Sequence, residues 1–142
     1  MYLIYCDDKR LRESCRPVEC SEIDFLFHVN IVNMIKKMKK KNGLGLSAPQ
    51  IGDMRRYFVF KNKVAINPEI LEKSLEEEVL KEGCLSFPDV YVLVSRSKNI
   101  KVKYMNLKLE EVIENISGIE ARVFAHELDH LNGITIIERE IK

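Results

Sequence analysis

The stretch His126-Glu127-Leu128-Asp129-His130 is the part of the chain on which fold and chemistry most depend. Two histidines four positions apart on a helix point to the same side, and the glutamate beside the first can reach whatever they hold. This spacing is typical of a divalent metal site with a general base next to it. Taken alone, the motif also fits a pair of polar helix positions whose hydrogen bonds are satisfied by neighbours.

A catalytic metal of this type usually has three protein ligands, so a third ligand has to be found. The chain has 3 histidines, and the remaining one, His28, lies in a different apolar segment. The metzincin peptidase pattern HExxHxxGxxH is matched at Gly133 but has Ile136 at its final ligand. Thermolysin-like peptidases take a glutamate from a later helix, and no such helix is indicated after His130. The third ligand is therefore expected upstream.

The best upstream candidate is Cys84, within EGCLS at residues 82–86. A cysteine that follows a glycine at the end of an apolar run can supply a thiolate. Together with the two histidines it gives a Cys/His/His set, which is an accepted composition for zinc or ferrous iron.

Three segments, in the same order, resemble the motifs of the peptide deformylases. GLGLSAPQ at residues 43–50 is similar to their GxGxAAxQ motif, and EGCLS at residues 82–86 is their second motif as it stands. HELDH at residues 126–130, followed by Leu131 and Gly133, is similar to their third. Three ordered motifs are far more specific than HExxH alone, and the chain is identified as a member of this family.

The resemblance implies a metal-dependent hydrolase and the residues of its site. The implied metal ligands are Cys84, His126 and His130. The implied ion is Fe²⁺, for which Zn²⁺, Ni²⁺ or Co²⁺ can substitute. Glu127 would take a proton from water and later give it to the leaving amine. The side-chain amide of Gln50 and the backbone N–H of Leu85 would stabilise the charge on the attacked carbonyl oxygen.

The implied substrate is a nascent polypeptide that begins with N-formylmethionine and is hydrolysed to release formate. Gly43 and Gly45 leave room for another chain to lie against the backbone, so an extended peptide could pair with Leu44 and Gly83 as an added strand. The methionine side chain is expected in an apolar pocket. The candidates for that pocket are Leu44, Ile119 and Val123. An ordinary core position is the alternative for Ile119.

The chain departs from the family pattern in three places. Ser47 replaces the first alanine of GxGxAAxQ, a change between small residues that is expected to add a local hydrogen bond. Tyr91 lies where many bacterial members carry arginine, so contacts to the downstream part of the peptide are expected to differ. We also expect a short form without the C-terminal helix that many bacterial members have.

Length and composition predict one catalytic domain over residues 1–142. The 23 basic and 22 acidic residues give a net charge of +1, which indicates neither a specific nucleic acid nor a membrane as partner. The sequence predicts a cytoplasmic protein, whether in a bacterial-type cytosol, a host cell or an organelle. Cys6, Cys15 and Cys20 form no CxxC pair and are expected to be reduced. Lys36–Lys41 is interpreted as a solvated helix end, with a ribosome contact as the weaker alternative.

The predicted fold class is α+β, with a central metal-binding helix packed against antiparallel β-sheets. Capping-box patterns predict helices that begin at Ser21 and at Ser117. The first helix is expected to pack by the face that carries Phe25, Val29, Val32, Ile35 and Met38. Strands are predicted at residues 57–60, 64–66, 99–104, 108–116 and 134–137, with Asn67-Pro68 ending the second. Glu76–Glu78 is expected to be a solvated face.

Two other function classes are considered. A zinc endopeptidase would have to use Cys84 as its third ligand, which that class does not do. A non-catalytic binding module on a deformylase scaffold is disfavoured because Glu127 and Gln50 are both present. Release of formate from formyl-Met-Ala-Ser, with casein as counter-substrate, separates the three hypotheses.

Overall fold

The computed structural model describes residues 1–142 and contains two antiparallel sheets and three α-helices. The helices are α1 (Phe25–Lys40), α2 (Gly118–Leu131) and α3 (Ile136–Arg139). The strands are β1 (Gly45–Ser47), β2 (Tyr57–Phe60), β3 (Lys63–Lys73), β4 (Glu77–Cys84), β5 (Phe87–Ser97), β6 (Asn99–Met105) and β7 (Glu111–Ser117). One sheet has the order β1-β2-β3-β6-β7, and β4 and β5 form a separate hairpin. The predicted α+β class is confirmed.

The helix α2 contacts strands of both sheets, as predicted for a central helix packed against antiparallel β-sheets. One face packs into a core cluster in which Phe124 meets Phe58 and Phe60 edge to face, with ring centroids 5.0 and 5.6 Å apart. Such aromatic pairs contribute about 0.5–1.5 kcal/mol each beyond the area that they bury. This packing fixes the rotation of the helix, so the opposite face, with His126 and Glu127, is held at one orientation.

The start of α1 differs from the prediction. Residues Cys20–Glu22 form a separate 3₁₀ turn, and the α-helix begins three residues later with Asp24 as its N-cap. The carboxylate of Asp24 accepts a hydrogen bond of 2.9 Å from the Phe27 backbone N–H. The buried face also differs from the predicted one, of which only Met38 is buried. The buried residues are Phe27, Ile31, Met34 and Met38, whereas Phe25, Val29 and Val32 are exposed.

Ser117 is the N-cap of α2, as predicted, but the predicted capping box does not form. The Ser117 side chain makes no capping hydrogen bond. Glu120, the other half of the pattern, instead pairs with Lys61 on the β2–β3 turn at 2.6 Å. The side chain of Glu120 therefore forms an ion pair with a residue distant in sequence and not the capping hydrogen bond that the local pattern predicts.

Two strand boundaries also differ. The strand β3 does not end at Asn67-Pro68. Asn67 has a φ of 51°, in the left-handed region, and the ladder with β6 resumes after a register shift. A bulge of this kind lets a strand bend and continue. Glu77 and Glu78 of the expected solvated face begin β4, and Glu77 is exposed there. The strands predicted at 57–60 and 99–104 are confirmed.

The predicted final strand at 134–137 is wrong. Thr135 caps the short helix α3 instead, because its hydroxyl oxygen accepts a hydrogen bond from the Ile137 backbone N–H at 3.3 Å. Ile136 is buried in a cluster beneath the β4–β5 hairpin. Within this last segment of the chain, only Glu140 forms a β-bridge, with Val94. None of the three helices has the length and apolar character needed to span a lipid bilayer.

Candidate active site

Three side chains converge where the end of β4 meets α2. Cys84 comes from the strand, and His126 and His130 come from successive turns of the helix. Their ligand atoms all lie within 4.8 Å of one another, and Cys84 Sγ is 3.3 Å from His130 Nε2. One thiolate and two imidazoles in this arrangement match the three-ligand composition of catalytic zinc or iron sites. The residues therefore fit a divalent metal.

The free nitrogens of the histidines support this fit. His126 Nδ1 is 2.9 Å from a carboxylate oxygen of Glu82, which leaves Nε2 available for a metal. Burial, followed by the nearby positive charges of His126 and Arg96, lowers the pKa of His130 well below its usual value, so its imidazole is neutral. Burial also lowers the pKa of His126, but interactions with Cys84 and Glu82 outweigh burial and raise it to about 10. A metal that binds here would displace that proton.

Glu82 is a site residue that the sequence interpretation missed. Its carboxylate is buried and accepts hydrogen bonds from Arg96 Nε at 2.7 Å and Nη2 at 3.1 Å, and also from Arg122. Burial alone would raise the pKa of Glu82, but its hydrogen bonds with His126 and Arg96 hold the pKa well below its usual value. Glu82 therefore presents a permanent negative charge to His126, and such carboxylates orient metal-binding imidazoles.

Asp129, the fourth residue of HELDH, extends this network. Arg96 Nη1 donates to Asp129 at 2.9 Å, so one guanidinium bridges Glu82 and Asp129. Arg139 of α3 donates to both oxygens of Asp129 at 3.0 and 2.9 Å. Ion pairs thus connect the hairpin, the central helix and the last helix behind the three candidate metal ligands.

Glu127 is buried beside this network but forms no hydrogen bond with its guanidinium groups. It is 3% exposed, and its Oε2 has no hydrogen-bond partner. Its Oε1 lies 3.8 Å from His126 Nε2. Burial raises the pKa of Glu127 to about 7, because it outweighs the positive charges of His126 and Arg96, which lower the pKa. A carboxylate with this pKa can both accept and donate a proton near neutral pH.

Gln50 lies in a 3₁₀ turn directly after β1, and its carboxamide is held at both ends. Its Oε1 accepts hydrogen bonds from the Ser47 backbone N–H at 3.0 Å and from the Ser47 hydroxyl at 2.9 Å. Its Nε2 donates to the Ser86 hydroxyl at 3.1 Å and lies 3.5 Å from Cys84 Sγ. The amide nitrogen is therefore directed toward the metal ligands.

A cleft of about 830 Å³ opens over these groups, between the β1 end of the large sheet, the hairpin and α2. It is lined by every site residue predicted from the sequence except His130, which is buried behind it. The lining set of predicted residues is Gly43, Leu44, Gly45, Gln50, Gly83, Cys84, Leu85, Tyr91, Ile119, Val123, His126 and Glu127. Ile119 is 56% exposed, which rules out its alternative assignment as an ordinary core residue.

The glycine of β1 is required by packing inside the chain. A Cβ atom on Gly45 would lie 2.8 Å from Glu127 Cγ and 3.0 Å from Val123 Cγ1. The space that a side chain at position 45 would occupy is thus filled by residues of α2. A peptide could approach this part of the chain only along the unpaired edge of β1. The strand β1 pairs only with β2, and β4 pairs only with β5, so each has an unpaired edge.

Comparison with known proteins agrees with this geometry. The family model described as polypeptide deformylase matches residues 1–142. The peptide deformylase of Thermotoga neapolitana is 48% identical over 136 residues, covering 93% of this chain and 82% of the relative. Peptide deformylase 1 of Clostridium perfringens is 39% identical over 145 residues, covering 98% and 97%.

Solved structures agree as well. The crystal structure of peptide deformylase from Thermotoga maritima has a TM-score of 0.94 and 46% identity, and the match covers 99% of this chain and 97% of that one. A Met-Ala-Ser-bound peptide deformylase from Acinetobacter baumannii has a TM-score of 0.92 and 33% identity, with 98% and 97% covered. This chain belongs to the peptide deformylase family, the metal-dependent hydrolases that remove the formyl group from the N-terminal methionine of nascent polypeptides.

Proposed function

We propose that Cys84, His126 and His130 hold the catalytic ion, that ferrous iron is its physiological identity, and that zinc, nickel or cobalt can substitute. The observation that carries this proposal is the convergence of the three ligand atoms beside the unpartnered carboxylate of Glu127. The donors are borderline to soft, so zinc is expected to bind at least as tightly as ferrous iron. The preference for iron in turnover rests on the family resemblance. When bound, the ion supplies the Lewis acidity that lowers the pKa of an attacking water molecule.

In this proposal Glu127 is the proton carrier. Its pKa near 7 lets it accept a proton from the attacking water and later donate it to the leaving amine. Its Oε2 is buried and has no protein partner, so this oxygen is available for the water and the substrate. The glycine at position 45 supports the role, because a Cβ atom there would lie only 2.8 Å from Glu127 Cγ and would displace this side chain.

Gln50 and Leu85 are the proposed donors to the carbonyl oxygen of the formyl group. The Gln50 Nε2 faces the cleft and carries no charge, so it can stabilise a developing negative charge at any pH at which the enzyme works. The backbone N–H of Leu85, next to Cys84, is the second donor in the proposal. Leu85 also lines the cleft, where its side chain packs close to Gly43.

The peptide is proposed to lie extended between the unpaired edges of β1 and β4, where it pairs with Leu44 and Gly83 as an added strand. Leu44, Ile119 and Val123 would enclose the methionine side chain. Tyr91, which is 65% exposed and whose ring packs over Gly83, would contact the residues that follow methionine. The Acinetobacter baumannii relative was solved with Met-Ala-Ser bound, which supports a peptide of this kind as ligand of this chain.

The test is release of formate from formyl-Met-Ala-Ser by Glu127→Gln and by the parent protein. The amide keeps the shape of the side chain but cannot accept the proton, so kcat should fall by about 10² to 10⁴ while bound metal is retained. Glu120→Gln is the matched control, because Glu120 lies on the same helix but pairs with Lys61 outside the cleft. A near-normal kcat for Glu127→Gln would refute the assignment.

The metal preference has its own test. Protein stripped of metal is reconstituted under argon with ferrous iron, nickel, cobalt or zinc, and formate release is measured for each form. The iron, nickel and cobalt forms are expected to be at least about tenfold faster than the zinc form, a difference of about 1.4 kcal/mol in barrier. A zinc form as fast as the nickel form would contradict the proposed preference.

We further propose that residues 1–142 act as one catalytic domain in the cytoplasm, on formylated chains as they are made. No specific nucleic acid and no membrane is part of this proposal. Lys36–Lys41, at the exposed end of α1, is the segment through which a ribosome contact would form. Sedimentation of the enzyme with ribosomes, compared with a variant in which Lys39 and Lys40 are replaced by glutamine, measures that contact.

A further inference from the structure

Ser47, where the family motif has alanine, is tied to Gln50 in this chain. Its side chain is fully buried, and its hydroxyl and backbone N–H both donate to Gln50 Oε1, at 2.9 and 3.0 Å. Ser47 and Gln50 stand at the N-cap and third positions of the 3₁₀ turn, the spacing of a capping box. The proton of the Ser47 hydroxyl is directed to the carboxamide oxygen.

We propose that Ser47 is a positioning residue, whose hydroxyl holds the Gln50 carboxamide with its nitrogen in the cleft. A carboxamide can rotate by half a turn and exchange its oxygen and nitrogen. In the exchanged orientation the NH₂ group would face the Ser47 N–H, which can only donate, and the oxygen would face the Cys84 sulfur. The Ser47 hydroxyl, which donates to Gln50 Oε1, would also face the NH₂ group in the exchanged orientation and therefore disfavours it. The inference rests on the proposed role of Gln50 as donor to the formyl oxygen.

The hydroxyl also acts on the strength of the donor. A hydrogen bond accepted by an amide oxygen polarises the amide, and hydrogen bonds in series strengthen one another in a buried setting. The series runs from the Ser47 hydroxyl through the Gln50 carboxamide to Ser86, and all three residues are buried. Alanine at position 47 keeps the backbone N–H bond and loses only the O–H bond, so the effect is expected to be partial.

The expected loss of kcat in Ser47→Ala can be set against the loss caused by removing an oxyanion donor altogether. Removal of a whole oxyanion donor lowers kcat by about 10² to 10³. Loss of one of the two hydrogen bonds that Ser47 donates to Gln50 Oε1 should lower kcat much less, and we expect kcat of Ser47→Ala to fall about fivefold. Since Gln50 is assigned to the transition state and not to binding of the peptide, KM should stay unchanged. The variant should fold, because alanine is the family's residue here and leaves no large void.

The test is a double-mutant cycle on formyl-Met-Ala-Ser with Ser47→Ala, Gln50→Ala and the double variant, each with its metal content measured. If Ser47 acts through Gln50, Ser47→Ala lowers kcat about fivefold in the parent and has no further effect in Gln50→Ala. Ser95→Ala is the matched control, because it removes a serine hydroxyl that bonds Glu77 on the outer part of the hairpin. An unchanged kcat for Ser47→Ala, or an equal loss in both backgrounds, overturns the inference.

A second measurement does not depend on turnover. The two side-chain amide protons of Gln50 are followed in ¹⁵N-resolved spectra of the diamagnetic zinc form. In Ser47→Ala their exchange with water should be at least about threefold faster, and unchanged exchange overturns the inference. If Gln50→Ala keeps full kcat, the proposed role of Gln50 fails and the catalytic part of the inference falls with it. If Gln50→Ala loses kcat and Ser47→Ala does not, only the inference fails.

Discussion

Replacement of Glu82 by glutamine should weaken both the fold and the metal site. Glutamine keeps the shape and an acceptor for His126 Nδ1, but it removes the negative charge that Arg96 and Arg122 share. Both guanidinium groups are less than a tenth exposed. In the variant Arg96 still has Asp129 as an ion-pair partner. Arg122 is left with no carboxylate partner and donates only to the backbone carbonyl oxygens of residues 78 and 94.

The expected magnitude follows from these contacts. Breaking a buried ion pair by removing one partner costs about 3–5 kcal/mol. Because Arg96 keeps one carboxylate and glutamine keeps a hydrogen-bond acceptor, the lower end applies, and we expect a loss of about 3 kcal/mol in the free energy of unfolding. A domain of this size has a free energy of unfolding of about 5–15 kcal/mol, so the variant should still fold. Metal affinity should fall about 10- to 100-fold, as for other partners of metal-binding histidines.

The assay is urea unfolding of the metal-free protein, with metal affinity measured separately by competition with a chelator. Glu77→Gln is the matched control, since Glu77 is on the same strand but exposed, and it should change stability by no more than about 0.5 kcal/mol. A loss below about 1 kcal/mol for Glu82→Gln, together with unchanged metal affinity, would refute the reasoning, because the ion pairs behind the site would then be energetically neutral.

The same variant has a predicted pH signature. The folded-state pKa of Glu82 is held below its value in the unfolded chain, which is about 4.3. Its contribution is therefore fully present above that pH and is lost as the pH falls further. Between pH 6 and pH 3 the metal-free parent should lose more stability than Glu82→Gln. Parallel curves for the two proteins would contradict this assignment of the charge.

Three further predictions concern the thiols and the pocket. Cys84→Ala should lose its bound metal together with its activity, and a full metal equivalent with unchanged affinity would rule out the thiolate as ligand. In the metal-loaded protein a thiol reagent should modify the exposed Cys6 and Cys20 quickly, and removal of the metal should add Cys84 to the reactive set. Cys15 should react only on unfolding, because burial raises its pKa to about 11; rapid labelling of a fourth thiol in the folded protein would contradict this. Formyl-Met and formyl-norleucine peptides should be hydrolysed at similar rates and a formyl-Asp peptide slowly, since its charge would be buried unpaired; equal rates for all three would show that the side chain is not enclosed.

The sequence predicted those parts of the site that depend on residue type and local spacing. His126 and His130 face one way because a helix repeats every 3.6 residues, and Cys84 was found through its motif. Glu82 stands in the same motif, yet its role could not be predicted. Its partners are Arg96 and Arg122, 14 and 40 positions away, and nothing local indicates that they meet.

The errors in the fold come from competing contacts, one of them local in the sequence and one of them tertiary. The pattern at Ser21 satisfied a capping rule, but the short-range pairing of Glu19 with Glu22 closed a separate turn first. Ile134–Ile137 has the residue types of a strand, and yet Ile136 is drawn into the apolar cluster beneath the hairpin, which a cap at Thr135 allows. In each case a tertiary contact or a competing local bond outweighed the propensity that the sequence showed.

Two buried glutamates in this site show why composition alone cannot assign roles. Glu82 and Glu127 flank the same histidine, with contacts of 2.9 and 3.8 Å to its two nitrogens, and both are almost without solvent exposure. Hydrogen bonds with His126 and Arg96 hold the pKa of Glu82 well below its usual value, whereas Glu127 Oε2 has no hydrogen-bond partner and burial raises the pKa of Glu127 to about 7. A carboxylate that stays charged can orient a ligand, and one that titrates near neutrality can move a proton. The difference between these two functions therefore lies in which hydrogen-bond donors the chain places around each carboxylate.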